Sequence, residues 1–114
     1  MVIPDTVTKI GSSAFINNEH IVEVVIPQSV TVIGEYAFDH CTNLQAVQIP
    51  DRVTEIGESA FGYCANLRKI ALPGIQKISS RAFFRCKNLA EVVMPEERFL
   101  VGSLAFGGCK ILKF

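Results

Sequence analysis

The chain has 114 residues, 49% of them hydrophobic and 19% charged, which fits one folded domain and argues against disorder. Lysine plus arginine and aspartate plus glutamate number 11 each, so no basic stripe favours nucleic-acid binding. The apolar runs are too short to cross a membrane, and the first ten residues do not form a signal peptide. A cytoplasmic protein and a mature or excised piece of a longer one both fit these features.

Aligning the chain against itself reveals a repeat of about 23 residues, which predicts one domain over residues 1–114. Each unit carries a proline, namely Pro4, Pro27, Pro50, Pro73 and Pro95. Four units carry a cysteine, namely Cys41, Cys64, Cys86 and Cys109. The consensus is I-P-x-x-V-T-x-I-G-x-x-A-F-x-x-C-x-N-L-x-x-V-x. The units span about 3–25, 26–48, 49–71, 72–93 and 94–114, and the fourth is one residue short, where Gly74 takes up the turn.

The elements of one unit follow from its pattern, for example in the third unit. The β-branched stretch 53–56 is predicted to be extended, and Gly57 turns the chain. Residues 60–64 are apolar at positions 0, +1 and +4, which predicts one helical or 3-10 turn. Residues 67–72 alternate as a short strand, which Pro73 ends. One coil cannot bury these side chains alone, so neighbouring coils must stack and form columns of equivalent residues.

This pattern resembles the BspA-type leucine-rich repeat family. The residues that carry the match in the third unit are Ile49-Pro50, Val53-Thr54, Ile56-Gly57, Ala60-Phe61, Cys64 and Asn66-Leu67. The resemblance implies an α/β, β-rich right-handed solenoid of about five coils. Short parallel strands would form its concave face, with short helical or 3-10 turns on the other side. It also implies cell-surface or secreted proteins that bind other macromolecules and share no catalytic residue.

The cysteines invite a metal or disulfide interpretation, but a spacing of 22 or 23 residues matches no zinc signature. We expect a column of buried thiols that act as small hydrophobic groups, with no metal and no cofactor. Stacked neighbours lie within disulfide range, although side chains that point the same way disfavour the bond.

Two polar columns flank the cysteines. Asn43, Asn66 and Asn88 stand before the strands, where their amides are expected to bond the turn backbone and one another, with His20 in the same slot. His40 shares a column with Tyr63 and Arg85 and is expected to be exposed. The two histidines lie in different columns, so they do not predict a site.

Glu35 and Glu58 are the strongest enzymatic candidates, because stacking would place their carboxylates about 5 Å apart, as in retaining glycosidases. The other members of this column are Ser12, Ser80 and Ser103. Serine and glutamate are both preferred just before a helical turn, and no cleft is evident from the sequence. We therefore expect a structural role and no enzyme.

The outward strand positions are the predicted ligand-binding residues. They are Glu23, Val25, Ala46, Gln48, Lys69, Ala71, Glu91 and Val93. A face of small, mixed residues suits broad contact with a protein or glycan surface, and equally suits a solvated sheet. It lacks the aromatic residues that usually dominate interface energetics.

The two ends carry no polar cap. The chain opens at Met1–Pro4 as the tail of a strand and closes at Ile111–Phe114 as another. This predicts a piece of a longer array, or association of copies end to end or by strand swapping. The expected function is a binding module for a protein, cell-surface or matrix ligand, with a self-assembling repeat as the alternative.

Overall fold

Nine short parallel strands build the chain, in a computed structural model that describes residues 1–110 and 113. They are β1 (Lys9–Ile10), β2 (Glu23–Val25), β3 (Val32–Ile33), β4 (Ala46–Gln48), β5 (Glu55–Ile56), β6 (Lys69–Ala71), β7 (Lys77–Ile78), β8 (Glu91–Val93) and β9 (Leu100–Val101). Two-residue and three-residue strands alternate along the chain. Each pair of successive strands belongs to one coil of a β-solenoid.

The two-residue strands form one continuous five-stranded sheet, in the order β1-β3-β5-β7-β9. Their register follows the repeat, with Ile10, Ile33, Ile56 and Ile78 paired in sequence. The short fourth unit keeps this register because the chain tightens at Gly74. A Cβ there would lie 1.8 Å from the carbonyl oxygen of Asp51, so only glycine fits.

The three-residue strands pair as β2-β4 and as β6-β8. Their registers, such as Glu23 with Ala46 and Lys69 with Glu91, match the predicted alignment of the units. Among the described residues no ladder joins β4 to β6, so this face consists of two separate strand pairs. The predicted strand at Ile111–Phe114 falls mainly outside the described residues, although Lys113 bridges to Glu91.

The predicted helical turns are wrong, since no helix occurs among the described residues. Residues with positive φ interrupt each of these segments, for example Ser59 at 52° and Tyr63 at 57°. Alternate N–H groups also donate to the neighbouring coil rather than along their own segment. The N–H of Ala60 donates to the carbonyl of Gly57 at 3.2 Å, while that of Phe61 donates to Ala82 at 2.7 Å. These bonds stitch the coils together on the side where a helix was expected.

The solenoid has about four turns, fewer than the five coils expected. Four three-residue strands occur among residues 1–110, one in each of the first four units. The fifth unit contributes β9 but no three-residue strand within the described part of the chain. The predicted count was too high because the repeat landmarks extend further than the complete turns.

The core consists of the predicted apolar columns. Phe38, Phe61 and Phe83 are fully buried, and their rings stack almost parallel with centroids 5.2 and 5.3 Å apart. The thiols of Cys41, Cys64 and Cys86 and the aliphatic side chains of the strands lie in the same core. The outward side chains are therefore fixed in rows one coil apart.

Candidate interaction surfaces

The predicted ligand-binding residues form one surface, here called the strand ladder. Seven of the eight are exposed and Glu91 is partly exposed. They lie in register across each strand pair, and the Lys69 ammonium is 3.5 Å from the Glu91 carboxylate. Whether they bind a ligand stays a prediction.

A second surface is a groove of about 720 Å³ that runs across all five two-residue strands, here called the sheet groove. One wall is the outward row of the strands, which includes Lys9, Glu55 and Lys77. The other wall is the row that follows the glycines and includes Glu35 and Glu58. A ligand lying along the groove would therefore meet one residue of each row in every coil.

Glycines form the floor of the sheet groove because the coils approach closely there. A Cβ on Gly34 would lie 2.7 Å from the carbonyl oxygen of Ile10, and one on Gly57 would lie 2.6 Å from the backbone nitrogen of Glu35. A larger residue at either of these two positions would push neighbouring coils apart, although the fourth unit carries Ser79 in the equivalent slot. The repeated glycine predicts a turn, and its second consequence is an open floor between two walls that carry charged side chains beside apolar ones such as Val32 and Leu100.

The walls of the groove carry charges that are only partly paired. The Lys77 ammonium lies 3.8 Å from the Glu55 carboxylate, and the Ser12 hydroxyl donates to Glu35 at 3.1 Å. The structure confirms that Glu35 and Glu58 occupy equivalent places on adjacent coils, since β3 and β5 pair in register. Their predicted role before a helical turn is wrong because no helix follows. They instead supply acceptors to the wall of a cleft that the sequence did not reveal.

A third surface lies on the turns between the two strand sets, here called the turn-face patch. It consists of His40, Tyr63, Phe84, Arg85 and Lys87. The His40 and Tyr63 rings stack with centroids 4.4 Å apart, and Phe84 meets Tyr63 edge-on at 5.8 Å. His40 is exposed, as predicted, but its stacking in an outer ring column was not foreseen. The signal available was its shared column with Tyr63 and Arg85.

The cysteine thiols are hydrogen-bonded to the backbone of the neighbouring coil. The thiols of Cys41, Cys64, Cys86 and Cys109 donate to phenylalanine carbonyls at 2.9–3.3 Å. Burial raises the pKa of the Cys41 thiol and raises that of Cys109 to about 12, while the hydrogen bond to Cys86 and then burial raise the pKa of Cys64. Protonated thiols are poor nucleophiles and poor metal ligands. No cluster of three or more metal-ligating side chains occurs in the described part of the chain.

The asparagine column has the predicted structural role. The amide of Asn66 donates to the carbonyl of Thr42 at 2.8 Å and lies 3.5 Å from the Asn43 oxygen. Asn43 and Asn88 donate equivalent bonds to the preceding coil. In the first slot the backbone N–H of His20 donates to the side chain of Asn18 instead.

Comparison with known proteins gives one family and several solved structures. The family model for a BspA type Leucine rich repeat region, in six copies, matches residues 1–113. A leucine-rich repeat protein of T. pallidum is 34% identical with a TM-score of 0.90, over 94% of this chain and 53% of that one. One from Bacteroides ovatus is 27% identical with a TM-score of 0.74, over 95% of this chain and 34% of that one.

A leucine rich cell surface protein of Faecalibacterium prausnitzii is 27% identical with a TM-score of 0.67, over 96% of this chain and 39% of that one. The chain thus spans about half or less of each of these proteins. No curated protein matches it significantly. Within the described residues, no helix has the length and apolar character needed to span a membrane.

Proposed function

We propose that this chain, which belongs to the BspA-type leucine-rich repeat family, is a non-enzymatic binding module for a protein or cell-surface ligand. The observation that carries the proposal is the sheet groove, which crosses every strand of the five-stranded sheet. The Faecalibacterium neighbour is a cell surface protein, which favours a ligand at the cell surface.

The dimensions of the groove suit an extended chain. Five strands spaced as in any parallel sheet give a length of roughly 20 Å, which is about six residues of extended peptide. The inner strands have neighbours on both sides, so their backbone is not free to pair with a ligand. Recognition would therefore rest on side chains, with the rigid core holding them at a fixed spacing.

The polar lining sets the kind of contact. Carboxylates of Glu35, Glu55 and Glu58 accept hydrogen bonds, and Lys9 and Lys77 donate them. Glycines on the floor let a ligand approach the backbone. This combination favours a polar, extended ligand whose donors face the two central glutamates.

A glycosidase is the alternative that the paired glutamates suggest. Such an enzyme needs one carboxyl group kept protonated in a desolvated pocket. Glu35 is exposed and accepts a hydrogen bond from Ser12, and both glutamates stand on an open wall. This setting favours binding over acid catalysis.

A self-assembling repeat is the second candidate, and one observation favours it. Large apolar side chains are exposed on the first and last described coils, with Val2 at 90%, Leu100 at 70% and Leu104 at 50%. Contact between two copies through these coils would bury that surface. Light scattering over a wide concentration range tests it: Leu100→Lys should abolish any association, and a wild-type monomer throughout would contradict it.

Selection from a displayed library of random peptides tests the binding proposal. Peptides enriched on the wild-type protein should not bind the double variant that carries Glu35→Lys and Glu58→Lys in the groove. They should still bind the double variant that carries Ala46→Glu and Ala71→Glu in the strand ladder, which also changes the charge on two adjacent coils. Loss on the ladder variant alone would move the site to the predicted residues, and failure to enrich any peptide would contradict peptide binding.

A further inference from the structure

The turn-face patch has a composition that the groove lacks. It joins three rings to two cations, and tyrosine and arginine are the residue types that dominate interface energetics. Tyr63 is 39% exposed, the His40 side chain is 45% exposed, and Arg85 and Lys87 are both exposed. The patch is therefore accessible along its length.

The rings of the patch pack against one another and against two arginines. His40 and Tyr63 stack at an angle of 17°, so each covers a face of the other, and Phe84 meets Tyr63 at 79°. The guanidinium groups of Arg81 and Arg85 lie 5.8 and 5.6 Å from the centre of the Phe84 ring. Ring edges carry partial positive charge, whereas ring faces carry negative charge. The negative face of Phe84 therefore attracts the two guanidinium groups, and the faces that His40 and Tyr63 turn to each other are not open to stacking.

Among the described residues, neither Arg85 and Lys87 of the patch nor Arg81 beside it has a carboxylate partner. The ion pairs among residues 1–110 and 113 involve His40, Lys69 and Lys77, and none involves Arg81, Arg85 or Lys87. The nearby acid is Asp39, which accepts a bond from the His40 ring at 2.8 Å and is only 11% exposed at its side chain. The local field is thus positive although the chain as a whole is neutral.

Small residues beside the rings open a hollow of about 340 Å³ within the patch. Thr42, Ala65 and Gly108 occupy positions where larger side chains would fill this space, and Tyr63, Arg85 and Lys87 line it. The hollow can hold one or two amino-acid side chains, with the cations at one end. A carboxylate in it could bond the fork of Arg85 and the ammonium of Lys87.

We propose that the turn-face patch binds an acidic peptide segment of a partner protein, whose carboxylates pair with Arg85 and Lys87. Single-stranded nucleic acids and glycans use free aromatic faces as stacking platforms, and the faces in this patch are partly covered, at His40 and Tyr63 by each other and at Phe84 by arginine. A carboxylate needs only the cations, which pair with no carboxylate among the described residues. This surface is separate from the sheet groove, so the chain would carry two binding sites.

Fluorescence anisotropy with a labelled octapeptide of alternating glutamate and alanine tests the proposal. The matched glutamine–alanine peptide should bind the wild-type protein roughly tenfold more weakly, since each lost ion pair weakens a specific contact. The double variant Arg85→Gln with Lys87→Gln should lose this preference for the acidic peptide. The control variant Arg52→Gln, which removes an exposed cation elsewhere, should keep the preference. Peptides that bind the sheet groove should bind this double variant with the same affinity as the wild-type protein. This control distinguishes a wrong proposal for the turn-face patch from a wrong proposal for the groove.

A charge swap keeps the test informative if a variant is less stable. Arg85→Glu, Lys87→Glu should prefer a lysine–alanine peptide, which a misfolded protein would not do. Equal binding of the acidic and neutral peptides to the wild-type protein overturns the proposal. Tighter binding of a thymidine oligonucleotide or of oligoglucuronate than of the acidic peptide also overturns it, in favour of a different partner.

Discussion

Two columns of side chains run side by side through the turns, one buried and one exposed. Phe61 is fully buried and Tyr63, two residues later, is 39% exposed. The inner rings repeat one residue type with centroids 5.2 and 5.3 Å apart. The outer column changes residue in every coil, from His40 to Tyr63 to Arg85, and Phe84 from the neighbouring position packs edge-on against Tyr63. The coil spacing dictates the inner column, whereas the outer one is free to vary, which is why we propose a binding site there.

The largest expected effect is a difference in the free energy of unfolding between substitutions in the two columns. Phe61→Ala should lower the free energy of unfolding by about 3–5 kcal/mol, because it leaves a cavity between two stacked rings. Tyr63→Ala should lower it by about 0.5–1.5 kcal/mol, since only the partly exposed ring contacts with His40 and Phe84 are lost. Urea unfolding followed by circular dichroism measures both. Similar losses for the two variants would break the distinction between an inner structural and an outer binding column.

The buried thiols should make the stability of the inner side of the coils depend on pH. The pKa values of Cys41, Cys64 and Cys109 are raised in the folded chain, so the unfolded chain releases its thiol protons first. Their stabilising contribution is complete below about pH 9 and is lost as the pH rises toward 12. The fully buried Cys64 should account for about 1.4 kcal/mol of that loss per pH unit.

Urea unfolding in a reducing buffer at pH 7.5, 9 and 10.5 measures this loss. Cys64→Ala should show a shallower fall above pH 9 than the wild-type protein, because the two proteins differ in this thiol alone. An identical slope would show that Cys64 does not remain protonated in the folded chain.

The sequence predicted the buried columns and the register because both depend only on the repeat. It could not predict the turns, since apolar residues at positions 0, +1 and +4 suit a helix and a series of turns equally. The choice depends on hydrogen bonds to the next coil, such as that from Phe61 to Ala82, and on positive φ at Tyr63 and Arg85. These are properties of the stack rather than of one unit.

The surfaces were predicted less completely than the core. The alternation of the strands placed residues such as Ala46 and Lys69 outward, and both are exposed. The sheet groove was missed because its floor depends on the close approach of coils at Gly34 and Gly57. The stacking of His40 on Tyr63 was missed because the shared position of the two residues in the repeat does not show that their rings touch. The sequence shows which residues depart from the repeat, but it does not show which of those residues contact one another.

The smallest expected effect concerns the asparagines, which are polar like the outer column but repeat like the inner one. Asn66→Ala should lower the free energy of unfolding by about 1 kcal/mol, because the partly buried bond to the Thr42 carbonyl is lost. Asn43→Ala should have less effect, since the equivalent bond to Glu19 is exposed to water. Urea unfolding of the two variants under one condition compares them. An equal or larger loss for Asn43→Ala would mean that position in the stack, and not burial of the bond, decides what a repeated polar residue contributes.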